Sequence, residues 1–593
     1  MKSTQVGLVA LAAALVTLSG VSIAARADYA PGNPSVIRDG RASAFTASVA
    51  SDEQPNTEVE PSIAVNPADP SDVVTAFQTG RHDGGGDADN GWAASLDGGA
   101  TWPYGGELPG NTAASGNATY GRGSDASVAF GKDPRGYKGY AVYVNNLVFN
   151  DSTNPSGMSV NVSLDGGRTF ATAAFPEADT VQGLNDKNWI IADNGSGSGH
   201  HPGRVYIFWD KEAAALVYSY CDPDVANPAV PSSVAGCEHT YNWSAFTPAG
   251  STLGGPLTPI TGIGAFPVVL TDGSVGVAYV NEDAVTCSTT EITDQTCVTP
   301  SGNSIAWTVI PGAGSVTWPG PLPSTQAPVT VAAYDSNGIT DQRAGGLPQA
   351  AVDPTTDAVY VVWEDNRFRT EAGGNQNDPV VSFSTPAAPG ALPGVTWSAP
   401  ARIDSMEPTG NFIDRYNTTV AVGQDGIVRV AYRQRDENPA GHFDITTGRG
   451  TPIDTYYQES HDAGATFSAP LLVDTVQGTP DAGYGAFDTK NVNFGLFEGD
   501  YEQIAAGGTD ESFVSRDEAY AGSPSAAPRD FTHTEGPSAA EWQQTWVSHL
   551  GPQLTAATPD VKFVPALLVV GGVCVGFVLW QRRKRSRESS DRE

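Results

Sequence analysis

The sequence predicts an all-β chain folded as a β-propeller, a ring of small antiparallel sheets. Three observations predict it. The pattern Ser-x-Asp-x-Gly-x-Thr-aromatic occurs three times, ending at Trp102, Phe170 and Phe467. Pairs of short β-rich runs recur along the chain, in units of roughly 70 residues. Gly and Pro, 67 and 43 residues, punctuate the chain, and helical periodicity is scarce before the apolar run at Phe563.

The strand pairs come in order. The first is Pro61-Ser-Ile-Ala-Val65 followed by Val73-Val-Thr-Ala-Phe77. Comparable pairs begin near Asp125, Asp186, Phe266, Pro348, Arg415 and Asp500. β-Branched and aromatic residues fill them, which suits a pleated, half-buried surface. A four-stranded blade cannot bury both faces alone, whereas a closed ring of blades does so and keeps only short edges. Seven strand pairs favour seven blades, and the six better box endings fit six. A strand from the segment Val36 to Val49 is expected to complete the last blade and join the two ends of the chain.

Each copy of the eight-residue pattern has a physical reading. In Ser95-Leu-Asp97-Gly-Gly99-Ala-Thr101-Trp102, the Asp carboxylate accepts from N–H groups just downstream and fixes a turn. Gly takes positive φ, and the aromatic residue drives into a core. Asp165 and Asp462 occupy the same place in the other copies. Degenerate copies keep the last step at Asn242-Trp243-Ser244, Thr317-Trp318-Pro319, Thr396-Trp397-Ser398 and Thr545-Trp546-Val547. This pattern resembles the Asp box, or BNR repeat, of the sialidase-like β-propeller family. In that family the box is a folding device away from the active site, so the resemblance implies structural roles for Asp97, Asp165 and Asp462.

The two ends read differently. Met1-Lys2, the apolar run Val6 to Leu18 and the small-x-small site Ala25-Arg26-Ala27 form a secretory signal peptide over residues 1–27. The propeller is expected over 28–518, and an Ala/Pro/Ser-rich stalk over 519–561. Phe563 to Trp580 is near-continuously apolar and is closed by Arg582-Arg-Lys-Arg585. It reads as one transmembrane helix, 562–581, with a basic cytoplasmic tail, 582–593. The domain before it is then extracellular, and the protein a single-pass protein of the cell membrane.

The formal net charge is −34, with several of the few cations in the tail. That argues against nucleic acid and anionic membrane surfaces as partners of the folded domain. The expected partner is an extracellular glycan or protein. No cofactor is indicated; clustered carboxylates would suit Ca²⁺, but no EF-hand loop names a site. Cys574 lies in the apolar span, and the other four cysteines form short-range couples, Cys221 with Cys237 and Cys287 with Cys297. Outside the cell these read as two disulfides, the first standing in the third unit where the Asp turn is missing.

Topology locates the functional face. In an antiparallel blade the start of strand one and the end of strand two share a face, and the box turn lies on the other. The functional face therefore carries Glu60, Asp125, Asp186, Lys187, Arg415, Tyr416, Asp500 and Tyr501 from strand-one starts. Strand-two exits add Arg81, Asn145, Asp210, Glu282, Asp283, Glu364, Asp365, Arg367, Arg433, Arg435 and Arg516. Of these, Glu60, Asp186, Arg81, Arg415 and Asp500 are candidate ligand-binding residues. His200-His201, in a Gly/Ser-rich loop, falls on the opposite face.

The family resemblance implies a mechanism. Sialidases clamp a substrate carboxylate with three arginines, attack with a Tyr activated by a Glu, and protonate the leaving group with an Asp. By repeat position this implies Arg367, Arg433 and Arg516 as the clamp and Tyr501 as nucleophile. Glu498 or Glu502 would be its base and Asp125 the acid. The Arg-Ile-Pro motif of those enzymes is absent, and Glu60-Pro61-Ser62 puts a carboxylate where they place their first arginine. The expected function is therefore binding of glycan or protein at the channel mouth. The alternative is an exo-glycosidase acting on terminal sialic acid or a related acidic sugar.

Overall fold

Runs such as Val73–Phe77 pack through side chains on both faces of a sheet, because each sheet is covered by its neighbours. This is the packing of a propeller wall. The structure is a computed structural model. It describes residues 34–43, 54–82, 85–150, 155–178, 185–211, 215–248, 250–251, 258–281, 304–317, 322–323, 325–334, 336, 342–369, 376–385, 394, 396–404, 413–436, 453–473, 496–521 and 541–552. The signal peptide, the apolar segment with its basic tail, and the Cys287–Cys297 couple lie outside them. Among the described residues, no helix is long and apolar enough to cross a membrane.

The described chain is almost wholly β. Among the described residues, the strands form one twelve-stranded sheet, four four-stranded sheets and two two-stranded pairs, and seven strands line the inner side. The inner strands are Gln54–Asn66, Arg122–Tyr137, Asn185–Ala192, Ile263–Val269, Gln349–Val352, Ile413–Val422 and Gln503–Ala506. Polar side chains tie neighbouring inner strands together. Ser62 Oγ accepts from Val128 N–H at 2.9 Å. Asn188 Nδ2 donates to the Asp125 carbonyl at 2.8 Å. Thr419 Oγ1 donates to Gln349 Oε1 at 2.7 Å and accepts from Ile504 N–H at 3.1 Å. Gln503 Oε1 accepts from Ile63 N–H at 2.8 Å, which joins the seventh inner strand to the first.

The last sheet departs from the expected domain boundary. Glu541–Pro552, within the segment expected to be stalk, is a full strand. It pairs antiparallel with Ser512–Ala521 and takes Pro34–Arg41 as the fourth strand. Its polarity hid it. Gln543, Gln544, Thr545 and Ser548 are all buried, and several of their polar groups find partners on other strands. Thr545 N–H donates to Glu58 Oε2 at 2.8 Å, and Arg41 Nη1 donates to Gln544 Oε1 at 3.1 Å. Joining the chain ends in one sheet was expected, and Pro34–Arg41 supplies it.

The three boxes share one geometry. Asp97, Asp165 and Asp462 each accept from the Thr four residues on, through its N–H (2.8, 2.9 and 2.8 Å) and its hydroxyl (2.7, 2.7 and 2.6 Å). Each also accepts from the preceding Ser hydroxyl at 2.8 Å. That hydroxyl takes the Gly N–H at 2.8–2.9 Å. Cys221 stands at the register position of those serines: it pairs with Val205 as Ser95 pairs with Val73. Its disulfide to Cys237 ties down the long loop before Trp243, whose indole N–H donates to the Cys237 carbonyl at 2.9 Å.

Candidate functional site

Register fixes which end of the sheets carries which chemistry. In the first sheet Val65, Val73 and Ser95 align at one end, and Val59, Gln78 and Asn90 at the other. The box turns leave from the first end. Glu60, Asp125, Lys187 and Asp500 belong to the second.

A local distortion aims these side chains. The inner strands bulge between Val59 and Ser62, Ser124 and Ser127, Asp186 and Trp189, Ile263 and Phe266, and Tyr416 and Thr419. The residue in each bulge is left-handed: Glu60 (φ 53°), Asp125 (48°), Lys187 (44°), Gly264 (72°) and Asn417 (50°). Only Gly264 adopts this without strain; the four others each cost roughly 1 kcal/mol or more. A bulge also re-aims the side chain it carries.

Three of the strained side chains converge. Lys187 Nζ is ion-paired with Asp500 and lies 3.9 Å from Asp125 Oδ2 and 4.0 Å from Glu60 Oε1. Asp125 also accepts from Ser124 Oγ at 2.6 Å and Lys187 N–H at 3.1 Å. Glu60 accepts from Asp500 N–H at 2.8 Å and from the Gln78 amide. All four charged groups are buried. Burial works against the Lys187 charge, but Asp500, Asp125 and Glu60 outweigh it and raise its pKa. Burial raises Glu60 to about 8, against the pull of Lys187. Lys187 is the permanent positive charge of the cluster, and burial works against ionisation of Glu60.

Beneath this cluster is an aromatic floor. Trp189 packs 4.5 Å from Phe266 and 5.2 Å, edge-on, from Tyr501. Below the floor a channel of about 730 Å³ runs between the inner strands. Ala64, Ala129, Ile191, Val268, Ala421 and Ala505 are among the residues that line it.

The residues assigned to the sialidase-like mechanism stand as follows. Tyr501 is 4% exposed and donates its hydroxyl to the Ala126 carbonyl at 3.2 Å. Burial first, then Glu60, Asp125 and Asp500, push its pKa well above the usual phenol range. Glu502 is engaged by Arg433 Nε at 2.8 Å; Glu498 lies on the strand Leu496–Gly499. Arg433 also meets Asp517 at 3.4 Å and Glu518 at 3.5 Å. Arg516 holds Asp39 of the outermost strand at 2.9 Å and Glu518 at 2.5 Å. Arg367 is paired with Asp365 on its own sheet. Arg433 and Arg516 thus meet through Glu518, and all three guanidiniums carry carboxylate partners.

Of the other candidates, Asp186 is exposed at the rim. Arg81 meets Asp87 at 3.5 Å. Arg415 is held by Asp378 at 3.0 Å and Asp404 at 2.9 Å. His200 lines the far end of the channel, its Nδ1 2.7 Å from Asp193 Oδ1 and its Nε2 2.7 Å from the Thr271 carbonyl. These contacts hold the ring in place. Among the described residues, no group of three or more His, Cys, Asp and Glu side chains is arranged to hold a metal.

Two residues gain importance from the structure. Lys187 and Glu364 were placed on this face by register but given no role. Glu364 is 1% exposed, one oxygen accepts the Gly346 N–H, and Oε2 has no hydrogen-bond partner. Burial raises it to about 7. A Lys between two strand runs and a Glu at a strand end carry no pattern of their own, so only convergence in space distinguishes them.

No family model matches the chain, and no curated protein matches it. Among solved structures the chain is similar to the intramolecular trans-sialidase from Ruminococcus gnavus. Identity is 13%, the TM-score 0.38, and the match covers 66% of this chain and 92% of that one. It is similar to the α-L-arabinanase of Penicillium chrysogenum at 11% identity and TM-score 0.36, over 87% of this chain and 98% of the other. It is similar to the phage phi92 endosialidase at 11% identity and TM-score 0.41, over 89% and 70%. At this distance no site residue is carried over from them.

Proposed function

We propose that the chain is an exported propeller of seven blades, tethered to the cell membrane by the segment Phe563–Trp580, whose mouth face binds an extracellular glycan. One observation carries the reading. Glu60, Asp125 and Lys187, in strained backbone at equivalent places on adjacent sheets, converge with Asp500 over an aromatic floor. Strain retained at several equivalent positions marks a surface built for a task. Carboxylates, amides and a lysine beside aromatic rings suit a ligand with many hydroxyl groups and an apolar face.

The commitments of the arginines favour binding over sialic acid hydrolysis. A clamp needs guanidiniums free to take a carboxylate bidentately. Arg367, Arg433 and Arg516 each hold protein carboxylates, and Tyr501 spends its hydroxyl on a backbone carbonyl. The full chain in detergent, applied to a mixed oligosaccharide array, is expected to bind; the Lys187→Met variant, confirmed folded, is expected not to. Release of fluorophore from a fluorogenic sialoside, abolished in Tyr501→Phe, would replace this reading with the hydrolytic one.

A further inference from the structure

The mouth is not filled evenly. At the bulge, four inner strands carry Glu60, Asp125, Lys187 and Asn417, whereas Ile263–Val269 carries Gly264. A Cβ built on Gly264 would lie 2.5 Å from Leu347 Cδ2, so Leu347 leans into the place a side chain would take. It does not fill that place. A partly open recess of about 20 Å³ remains beside Lys187, between Trp189, Phe266, Leu347, Pro348 and Tyr501.

Size and chemistry define what fits. A space of about 10–15 Å³ holds one water, so this recess takes one heavy-atom group and not two. Its wall is apolar almost throughout. The amide and ammonium donors along it are already engaged. Asn188 Nδ2 donates to the Asp125 carbonyl and to Asn145 Oδ1, both at 2.8 Å. Gln349 Nε2 donates to the Glu502 carbonyl at 2.7 Å, and Lys187 faces three carboxylates. A hydroxyl or a carbonyl placed in the recess would lose its water and gain little in exchange, whereas a methyl group gains by leaving water. At the edge of the recess the requirement reverses. Asp500, its side chain 10% exposed, is the most accessible carboxylate of the Lys187 group and offers an acceptor to ligand hydroxyls.

We infer that the mouth selects a 6-deoxyhexose, whose C6 methyl enters this recess. This rests on the mouth-binding reading and narrows it to a ligand class. The methyl is one heavy atom, apolar and fixed to the ring, and the sugar keeps its ring hydroxyls as donors to Asp500. An ordinary hexose carries a hydroxymethyl group there. It is one heavy atom too large, and it would bury its oxygen against Phe266 and Leu347. An acetamido group would bring its carbonyl to a wall whose amides donate elsewhere.

Matched glycosides test this. Ligand-observed NMR titration of the full chain in detergent would compare methyl α-L-fucoside with methyl α-L-galactoside, and methyl α-L-rhamnoside with methyl α-L-mannoside. Within each pair only the C6 hydroxyl differs. Methyl β-N-acetylglucosaminide probes the acetamido group. In at least one pair the deoxy sugar is expected to bind at least about tenfold more tightly, the discrimination an apolar pocket gives for one group. Leu347 is half-buried and open to substitution. Leu347→Ala should enlarge the recess, admit the hydroxymethyl sugar and bring the ratio towards one. Leu347→Trp should fill the recess and abolish the preference. Equal affinities within both pairs, tighter binding of the acetamido sugar, or an unchanged ratio in both folded variants would overturn the inference while leaving glycan binding standing. Failure of every glycoside while the oligosaccharide array still shows binding would overturn it too. Failure with array binding also absent would overturn the mouth reading itself.

Discussion

Replacing Lys187 by Met removes the one cation from a buried group of three carboxylates. The side chain is 7% exposed, paired with Asp500 and 3.9 and 4.0 Å from Asp125 and Glu60. At an effective dielectric near 20, a unit pair at about 4 Å is worth roughly 4 kcal/mol before desolvation. Breaking a buried pair by deleting one partner typically costs about 3–5 kcal/mol, because the survivor stays charged and unsolvated. Met fills a similar volume, so a cavity contributes little. The expected loss is about 3–5 kcal/mol at pH 7.5, read from equilibrium unfolding in urea by tryptophan fluorescence. Its pH dependence follows from the sign of each shift. The pKa of Lys187 is raised, so its own contribution is constant across pH 5–8 and fades only in strong alkali. The orphaned carboxylates can take up protons, so the loss should shrink as pH falls towards 5. A loss under about 1 kcal/mol at pH 7.5, or one that grows on acidification, would refute the convergence on which the site is built.

Three further outcomes are expected. Burial raises Glu58 to about 7, so the folded chain holds an extra proton between about pH 4.5 and 7, and stability falls as pH rises through that window. Glu58→Gln should flatten this part of the pH–stability curve by an amount on the order of 3 kcal/mol; an unchanged slope would place the titration elsewhere. The hydrogen bonds from Thr169 and Ser163 outweigh burial and lower the pKa of Asp165, so its contribution is present at neutral pH and lost in acid. Asp165→Ala should cost about 1–3 kcal/mol at pH 7 yet leave glycan affinity unchanged, since the turn lies at the opposite end of the sheets; a loss of affinity would contradict that placement. Reducing the Cys221–Cys237 bridge, or Cys221→Ser with Cys237→Ser, should lower stability by about 2–4 kcal/mol in thermal or urea unfolding.

Much was legible in the chain itself. Ser163-Leu-Asp165-Gly-Gly167-Arg-Thr169-Phe170 contains every group its turn uses, so reading it required no distant contact. The strand pairs carried their own β-branched residues, and their order placed the box turns and the charged strand starts at opposite ends. The pairing of Cys221 with Cys237 needed only short spacing. These are local properties, and sequence records local properties directly.

Other features depended on partners hundreds of residues away. Glu541–Pro552 looks like polar linker, and it is a strand whose buried Thr545 N–H and Gln544 amide oxygen are met by Glu58 and Arg41 from the other end of the chain. The arginines read as a clamp because sequence gives a guanidinium but not its partner; Asp39, 477 residues from Arg516, supplies it. Lys187 became the centre of the mouth only when ring closure brought Glu60 and Asp500 beside it. Glu364 stands out for a missing contact, which no linear pattern encodes. The sequence by itself determined the sheets and the turns; tertiary packing decided which charges at the strand-one starts are paired within the protein, because electrostatic pairing acts through space rather than along the chain.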